Sequence, residues 1–379
     1  MHTSMRIVFT GSGSGGHFYP LIAIAGALRV AAANAKERSP EFFLLAPTEY
    51  DAGALFAHDI TFVRVPAGKV RRYFSFRNFL DAFKTLWGIF VAIWQLFRLY
   101  PDAVMSKGSY TSTPVVIAAW LLRIPVVVHE SDVRPGRANK LASWFAHTIA
   151  TSYEGSAAYF PPARTVRTGM PVRRELLAAY PGNAAEHLGI EPHRPLILVL
   201  GGSQGAERVN DLIITALDEL LPTYSILHQA GEQNAQLVTE TAHALTEHKE
   251  LLTHYHVRGF LDSESMAAAF SAASLVISRA GSGTIYEIAL SGKPAILIPI
   301  PEVISHDQRV NAYEYARTGG ASVMEEANLT PNLLAAEVAR IMGDQALQLT
   351  MREAAHGFAP RDAAEKVAEV LRGIAQSHA

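Results

Sequence analysis

The chain has 379 residues, about half of them apolar, and a formal net charge of −2. That length supports two domains with separate cores, and the near-neutral charge provides no global basic field for nucleic acid. With no cysteine, disulfides, thiolate zinc sites and thiol nucleophiles are excluded, which fits a cytoplasmic protein.

From Met1 the chain runs straight into strand-like Ile7-Val8-Phe9, without the pattern of a secretory signal. No apolar run reaches the roughly 20 residues that a membrane-spanning helix needs. Strand-like apolar runs alternate with helical patterns, the mark of parallel α/β layers. The first unit is a strand over 6–10, a turn Gly11-Ser12-Gly13-Ser14-Gly15-Gly16-His17, and a helix over 19–33 with Pro20 in its first turn. Further strands are expected at 42–46, 62–65, 103–106, 126–129 and 148–150. The stretch 178–195, with Pro181-Gly182-Asn183 and Pro192, reads as a boundary or surface excursion. A second α/β series follows: strand 196–200, turn Gly201-Gly202-Ser203-Gln204-Gly205-Ala206, helix 209–221, then strands near 225–229, 275–278 and 295–299. The segment 331–376 is helical.

Glycine-rich βα turns open both halves. Four glycines fall within 11–16, which lets backbone approach a ligand closely. A dinucleotide fingerprint wants an acidic residue at the end of the second strand, and that strand ends Leu44-Leu45-Ala46-Pro47. No Lys-Ser/Thr follows the glycines, so a Walker-type NTPase is disfavoured too. His17 is the residue of this turn able to act as a base near neutral pH; the alternative is a histidine packing at the helix start.

The later run Ser278-Arg279-Ala280-Gly281-Ser282-Gly283-Thr284-Ile285-Tyr286-Glu287 joins apolar Leu275-Val276-Ile277 to a helical pattern ending near Gly292-Lys293-Pro294. Such a turn presents unpaired N–H groups and a helix dipole to phosphate. Glu287, expected in the first helical turn, cannot bind phosphate but can accept hydrogen bonds from ribose hydroxyls. An ordinary βα turn with a solvated Glu is the alternative. In Gly201–Ala206, Ser203 offers a hydroxyl to a phosphate. His306-Asp307-Gln308-Arg309-Val310-Asn311 groups amide and carboxylate side chains suited to hexose hydroxyls, or marks a solvated helix start. No Asp-x-Asp metal motif occurs, and Asp262-Ser263-Glu264 reads as a helix cap. A sugar-nucleotide enzyme of this kind would rely on helix dipoles, with no metal site.

The segment 69–99 interleaves Lys69, Arg71, Arg72, Arg77, Lys84 and Arg98 with aromatics. Its apolar run 86–94 would span only about 14 Å as a helix. Helical spacing of Leu86, Ile89, Ile93 and Leu96 points to a core face. The end carrying Arg72, Phe74, Phe76, Phe79 and Phe83 reads as a contact with an anionic membrane surface, a basic loop on a core helix being the alternative.

Together, Gly13–His17, Gly201–Ala206 and Ser278–Pro294 resemble the MurG family, the N-acetylglucosaminyltransferases that complete lipid II in peptidoglycan synthesis. Lys107-Gly108-Ser109-Tyr110, His129-Glu130-Ser131-Asp132 with Asn139-Lys140, Gly169-Met170-Pro171-Val172-Arg173, and Gln308 with Asn311 fall in the family's order. The resemblance covers nearly the whole chain. It implies an α/β fold of GT-B architecture, two Rossmann-like domains with parallel sheets facing across a cleft. Residues 1–168 would form the acceptor- and membrane-facing domain, with a final helix over 360–379 packing back on it, and 169–359 the UDP-sugar domain.

The resemblance also implies the donor UDP-N-acetylglucosamine, a substrate, with no cofactor and no metal. The acceptor would be lipid I, undecaprenyl-pyrophosphoryl-N-acetylmuramyl-pentapeptide. Ser203 and Ser282, Gly283 and Thr284 would meet the donor pyrophosphate, Glu287 its ribose and Leu261 its uracil through backbone. Arg173, Gln308 and Asp307 would also contact the donor. Ser14, Gly15 and Gly16 would face the reacting centre, with Gly13, Tyr110 and Asn139 on the acceptor. Asp132 stands at a donor-binding position where many members have Asn, so it lacks amide donors. Ser14 stands for a common Thr, and Met170 for a common Asn or Ser. By the same likeness the protein is peripheral on the cytoplasmic face of the membrane, with the cell-wall synthesis machinery as a partner and no nucleic acid. The expected chemistry is an inverting single displacement with His17 as base and Glu130 second. The alternatives are a GT-B enzyme acting on diacylglycerol, a UDP-N-acetylglucosamine epimerase, or a silent sugar-nucleotide-binding protein.

Overall fold

Short apolar runs, buried on both faces, make the strands of two parallel sheets. A computed structural model describes residues 4–69, 76–176, 178, 180–201, 206–301 and 306–378. The chain divides into one unit of Met1–Arg173 with Pro360–Ala379 and a second of Arg174–Ala359.

Unit 1 runs β1 (Arg6–Thr10), α1 (Gly15–Asn34), β2 (Glu41–Ala46), α2 (Ala52–Ala57), β3 (Ile60–Arg64), α3 (Phe76–Leu99), β4 (Ala103–Ser106), α4 (Thr113–Leu121), β5 (Val126–Glu130), α5 (Arg137–Ala142), β6 (Thr148–Thr151) and β7 (Thr165–Arg167). Its seven strands lie in the order β3-β2-β1-β4-β5-β6-β7, all parallel. Side chains alternate between two cores. Ile7, Phe9, Leu44 and Met105 pack with Leu21, Ile24 and Leu28 of α1. Val8, Leu45, Val104 and Val128 pack with Ala92 and Leu96 of α3 and Val115 and Ala118 of α4. Covering both faces is what turns these strands into unbroken apolar runs.

Unit 2 runs α6 (Ala184–Leu188), β8 (Leu196–Leu200), α7 (Glu207–Thr215), α8 (Leu217–Leu220), β9 (Ser225–Gln229), α9 (Ala235–Leu245), β10 (Tyr255–Arg258), α10 (Ser263–Ala272), β11 (Ala273–Ser278), α11 (Ser282–Ser291), β12 (Ala295–Leu297), α12 (His306–Ala316), β13 (Ala321–Val323), α13 (Pro331–Met342) and α14 (Gln345–Phe358). Its sheet order is β10-β9-β8-β11-β12-β13, again parallel. The last helix, α15 (Ala363–His378), belongs to unit 1: Val367 and Leu371 complete the core under α1. Arg372 donates to both carboxylate oxygens of Glu37 at 2.9 Å. Gly169, at φ +84°, packs against the residue that opens this return; a Cβ there would lie 2.3 Å from the Pro360 ring.

Several local expectations are corrected. α1 starts at Gly15, so Gly15, Gly16 and His17 are inside the helix and Pro20 is its sixth residue. Proline has no N–H, so it gives nothing to the Gly16 carbonyl one turn back. The helix expected over 209–221 is two pieces, α7 and α8. The segment after 331 is three helices.

On α3 the expected core face holds only in part: Leu96 is buried and Ile93 packs against the core, but Leu86 is 54% exposed. The buried positions of the helix are Asp81, Gly88, Ala92 and Leu96. A Cβ on Gly88 would lie 1.9 Å from the Pro66 carbonyl oxygen. At Gly88 the helix backbone therefore sits too close to the unit for any side chain. Phe79, Phe83, Trp87, Phe90, Trp94 and Phe97 are each more than half exposed. Two of the described helices are long and apolar enough to cross a membrane by length and composition, α1 and the stretch Phe79–Leu99. This revises the expectation of none, although α1 belongs to the core cluster and α3 buries its small-residue face.

Candidate active site

In an open parallel sheet, ligands bind beyond the strand C-termini where strand order reverses. In unit 1 that point lies between β1 and β4. Two turns meet there: a Cβ on Gly11 (φ +103°) would lie 2.4 Å from the Gly108 carbonyl oxygen. Glycine at 11 allows this approach, and glycine at 108 (φ +91°) leaves room for Asn139, whose Oδ1 a Cβ would meet at 2.6 Å. α1 then opens at Ser14, whose side chain makes no cap. The N–H groups of its first turn have no acceptor inside the helix and suit an anion.

His17 lies in that first turn. Its Nδ1 is 3.2 Å from the Lys107 carbonyl oxygen. A carbonyl only accepts, so Nδ1 carries the hydrogen and Nε2 the lone pair. Burial, and then the Lys107 ammonium, push its pKa down to about 4. The imidazole is therefore neutral at pH 7 and able to take a proton.

Glu130 sits differently. Its carboxylate is buried and accepts from the Asp132 amide at 2.9 Å, the Gly136 amide at 3.2 Å and Asn139 Nδ2 at 2.9 Å. Burial pushes its pKa up and that of fully buried Lys107 down, each charge opposing the effect on the other. Lys107 Nζ donates to Ser131 Oγ. His129 Nε2 donates to the Gly169 carbonyl at 2.9 Å. With three of its roughly four acceptor sites occupied, Glu130 holds the 130–139 loop. Ser12 Oγ, Thr111 Oγ1 and Asn139 Oδ1 are buried at the same end of the sheet with no hydrogen-bond partner among the described residues. Unpaired polar atoms of this kind call for an occupant. Tyr110 opens a short 3₁₀ turn after β4 and is partly exposed. Arg173 stacks its guanidinium 4.1 Å from the centre of the Tyr19 ring on α1.

In unit 2 the order reverses between β8 and β11. Ser203, in the turn after β8, lies outside the described residues. After β11, Gly281 is the α11 N-cap and makes no side-chain cap. Ile285 N–H returns to the Gly281 carbonyl at 3.0 Å, so Ser282, Gly283 and Thr284 form the amide-presenting first turn. Glu287 is the sixth helical residue, one turn later than expected. Helical side chains tilt toward the N-terminus, so from one turn behind Gly283 it still leans to the same rim. Asn311 Nδ2 donates to Ser282 Oγ at 3.1 Å, and Ile300 N–H to Gln308 Oε1 at 3.3 Å. Asp307 and Gln308 thus sit on α12 beside the α11 turn. Leu261 is buried just before α10, where Asp262 caps Ser265 N–H at 2.8 Å.

Unit 1 thus gathers Gly13–His17, Tyr110, Glu130, Asp132 and Asn139, and unit 2 gathers Ser282–Thr284, Glu287, Asp307 and Gln308. Arg72 and Phe74 lie outside the described residues. Phe76 begins α3, and Phe79 and Phe83 are exposed on it. Sequence reasoning gave no role to Lys107, Tyr19, Arg279 or Glu326. For Lys107 the signal was a charge set directly after the strand-like run Ala103-Val104-Met105-Ser106.

Models of the glycosyltransferase family 28 N-terminal and C-terminal domains match residues 7–151 and 196–367. A Treponema denticola protein named UDP-N-acetylglucosamine–N-acetylmuramyl-(pentapeptide) pyrophosphoryl-undecaprenol N-acetylglucosamine transferase is 35% identical, covering 86% of this chain and 85% of its own. A Legionella pneumophila protein of the same name is 36% identical over 92% and 90%. Among solved structures, MurG of Acinetobacter baumannii is similar with a TM-score of 0.73 at 27% identity, over 97% of this chain and 99% of that one.

Proposed function

The chain belongs to the MurG family of family 28 glycosyltransferases, and from that premise we propose that it moves N-acetylglucosamine from UDP-N-acetylglucosamine to the C4 hydroxyl of N-acetylmuramic acid in lipid I, forming lipid II. Its two Rossmann-like units are those of the GT-B fold. The observation that carries the reading is the neutral imidazole of His17, its tautomer set by the Lys107 carbonyl, at the uncapped start of α1.

In this reading unit 2 holds the donor. The α11 first turn meets the diphosphate, Glu287 the ribose, and Asp307 and Gln308 the sugar. Unit 1 holds the acceptor pyrophosphate at Gly13–Gly16, with Tyr110 and Asn139 near it. The acceptor O4 attacks C1 as the C1–O bond to UDP breaks, and the O4 proton passes to His17 Nε2. One displacement inverts C1. Charge grows on the departing diphosphate, where amides and a helix dipole stabilise it without requiring a divalent ion. Glu130 is the less suited base, since three N–H groups already occupy its oxygens.

The exposed face of α3 supports contact with an anionic membrane, where lipid I resides. It extends past the expected Phe79–Phe83 end to Trp87, Phe90, Trp94 and Phe97. A helix that packs Gly88, Ala92 and Leu96 inward and leaves six large aromatics outward departs from the soluble pattern and fits a surface lying at the lipid interface.

Incubation with radiolabelled UDP-N-acetylglucosamine and a lipid I analogue tests the reading. It predicts label in the lipid product and one UDP released per sugar moved. Label confined to free or epimerised sugar would replace transfer with hydrolysis or epimerisation.

A further inference from the structure

The donor contacts in unit 2 hang on three strand exits, and one buried guanidinium reaches all of them. Arg279 follows β11, one residue before the α11 turn. Its Nη1 donates to the Ile298 carbonyl at 3.2 Å and the Pro299 carbonyl at 3.5 Å, both at the exit of β12. The same nitrogen pairs with Glu326 Oε2, beyond β13. Arg208 on α7 pairs with the other carboxylate oxygen at 3.2 Å. The Arg279 and Glu326 side chains are 14% and 9% exposed.

We propose that Arg279 and Glu326 are positioning residues for the nucleotide: their ion pair fixes the turns that carry the diphosphate and sugar contacts. This inference rests on the donor reading above. Ile298 N–H also bonds the Ser278 carbonyl at 2.8 Å, so the β11 and β12 exits are joined from both sides. Two residues beyond Ile298, the Ile300 amide holds Gln308. The neighbouring Glu325 accepts from Arg309 at 2.9 Å and from Tyr313 at 2.7 Å, both on α12. Consecutive carboxylates thus grip the β11 turn and the helix bearing Asp307 and Gln308. Burying such a pair seldom adds stability on balance, but deleting one member strands the other charge. A shape requirement at the turn accounts for keeping both.

The rival role for Arg279 is a direct phosphate ligand, masked by Glu326. The two roles differ in sign. Glu326 is an anion and cannot itself bind diphosphate. If it masked a ligand, Glu326→Gln would release Arg279 and tighten UDP binding. If it braces the turn, Glu326→Gln loosens UDP.

UDP titrated calorimetrically into the full-length protein decides. We expect Glu326→Gln and Arg279→Lys each to weaken UDP binding about tenfold, with the lipid-acceptor KM within about twofold of wild type. A general loss of structure would move both constants together. Arg279→Lys keeps the charge and loses the carbonyl bonds, so unweakened UDP binding in it overturns the brace even should Glu326→Gln fail to fold. UDP binding equal to or tighter than wild type in the folded variants overturns the brace. Absence of UDP binding by the wild type overturns the donor reading itself.

Discussion

The ring of His17 and the backbone of Lys107 share one hydrogen bond, 3.2 Å from Nδ1 to the carbonyl oxygen, and it determines which ring nitrogen can act. Burial chiefly, and then the buried Lys107 ammonium, keep that ring neutral. A base with a pKa near 4 stays unprotonated across the physiological range. The rate with saturating substrates should therefore show no acid limb from this group between about pH 8 and pH 5, and fall only toward pH 4. A pH–rate profile bending near the ordinary histidine value of about 6.5 would mean a solvated imidazole.

The same burial makes the fold acid-sensitive. The pKa of His17 is lowered to about 4 and that of His228 to about 3, and His129 lies well below its ordinary value, all chiefly through burial. In the unfolded chain each titrates near 6.5. Between that value and the folded one, the unfolded state binds the extra proton, so stability falls as pH falls. Each histidine contributes a slope of up to about 1.4 kcal/mol per pH unit. Urea unfolding at pH 5 and pH 7.5 should show the lower midpoint at pH 5, and His17→Gln should reduce the difference.

Glu287 offers a contrasting test, because its proposed ligand is the donor ribose and not the acceptor. A charge-assisted hydrogen bond to ribose hydroxyls contributes about 1.5–3 kcal/mol. Glu287→Ala should raise the donor KM by about tenfold or more and leave the acceptor KM unchanged. An unchanged donor KM would remove Glu287 from the ribose.

Binding to vesicles probes α3. Trp87 and Phe90 are 64% and 67% exposed, so Trp87→Ser and Phe90→Ser disturb little of the core. Burying one such side chain in lipid contributes about 1.5–3 kcal/mol. Each substitution should reduce partition onto anionic vesicles about tenfold while transfer to a soluble acceptor analogue persists. Equal partition of wild type and variants would place the membrane contact elsewhere.

The buried strands were legible because parallel sheets covered on both faces leave unbroken apolar runs, as at Leu196–Leu200. The strands that escaped notice, Thr165–Arg167, Tyr255–Arg258 and Ala321–Val323, are all edges, short and only partly buried. Glycine turns announced both sites, yet Gly15 and Gly16 entering α1 did not, since glycine normally argues against helix. The α3 face was legible at Ile93 and Leu96 but not at Leu86, because large apolar residues at helical spacing usually mark the core throughout. Here Gly88 and Ala92 mark it, and that depends on how near Pro66 comes. Arg279 and Glu326 were out of reach, because their pairing spans 47 positions of sequence and only the fold joins them.

The most direct measurement is single-turnover transfer to a lipid I analogue by His17→Ala, with UDP affinity determined on the same preparation. Loss of a general base costs about a hundredfold to ten-thousandfold in rate. The account predicts a fall of that size with UDP binding within about twofold of wild type. A near-normal turnover rate would show that another group removes the acceptor's proton, and would contradict it.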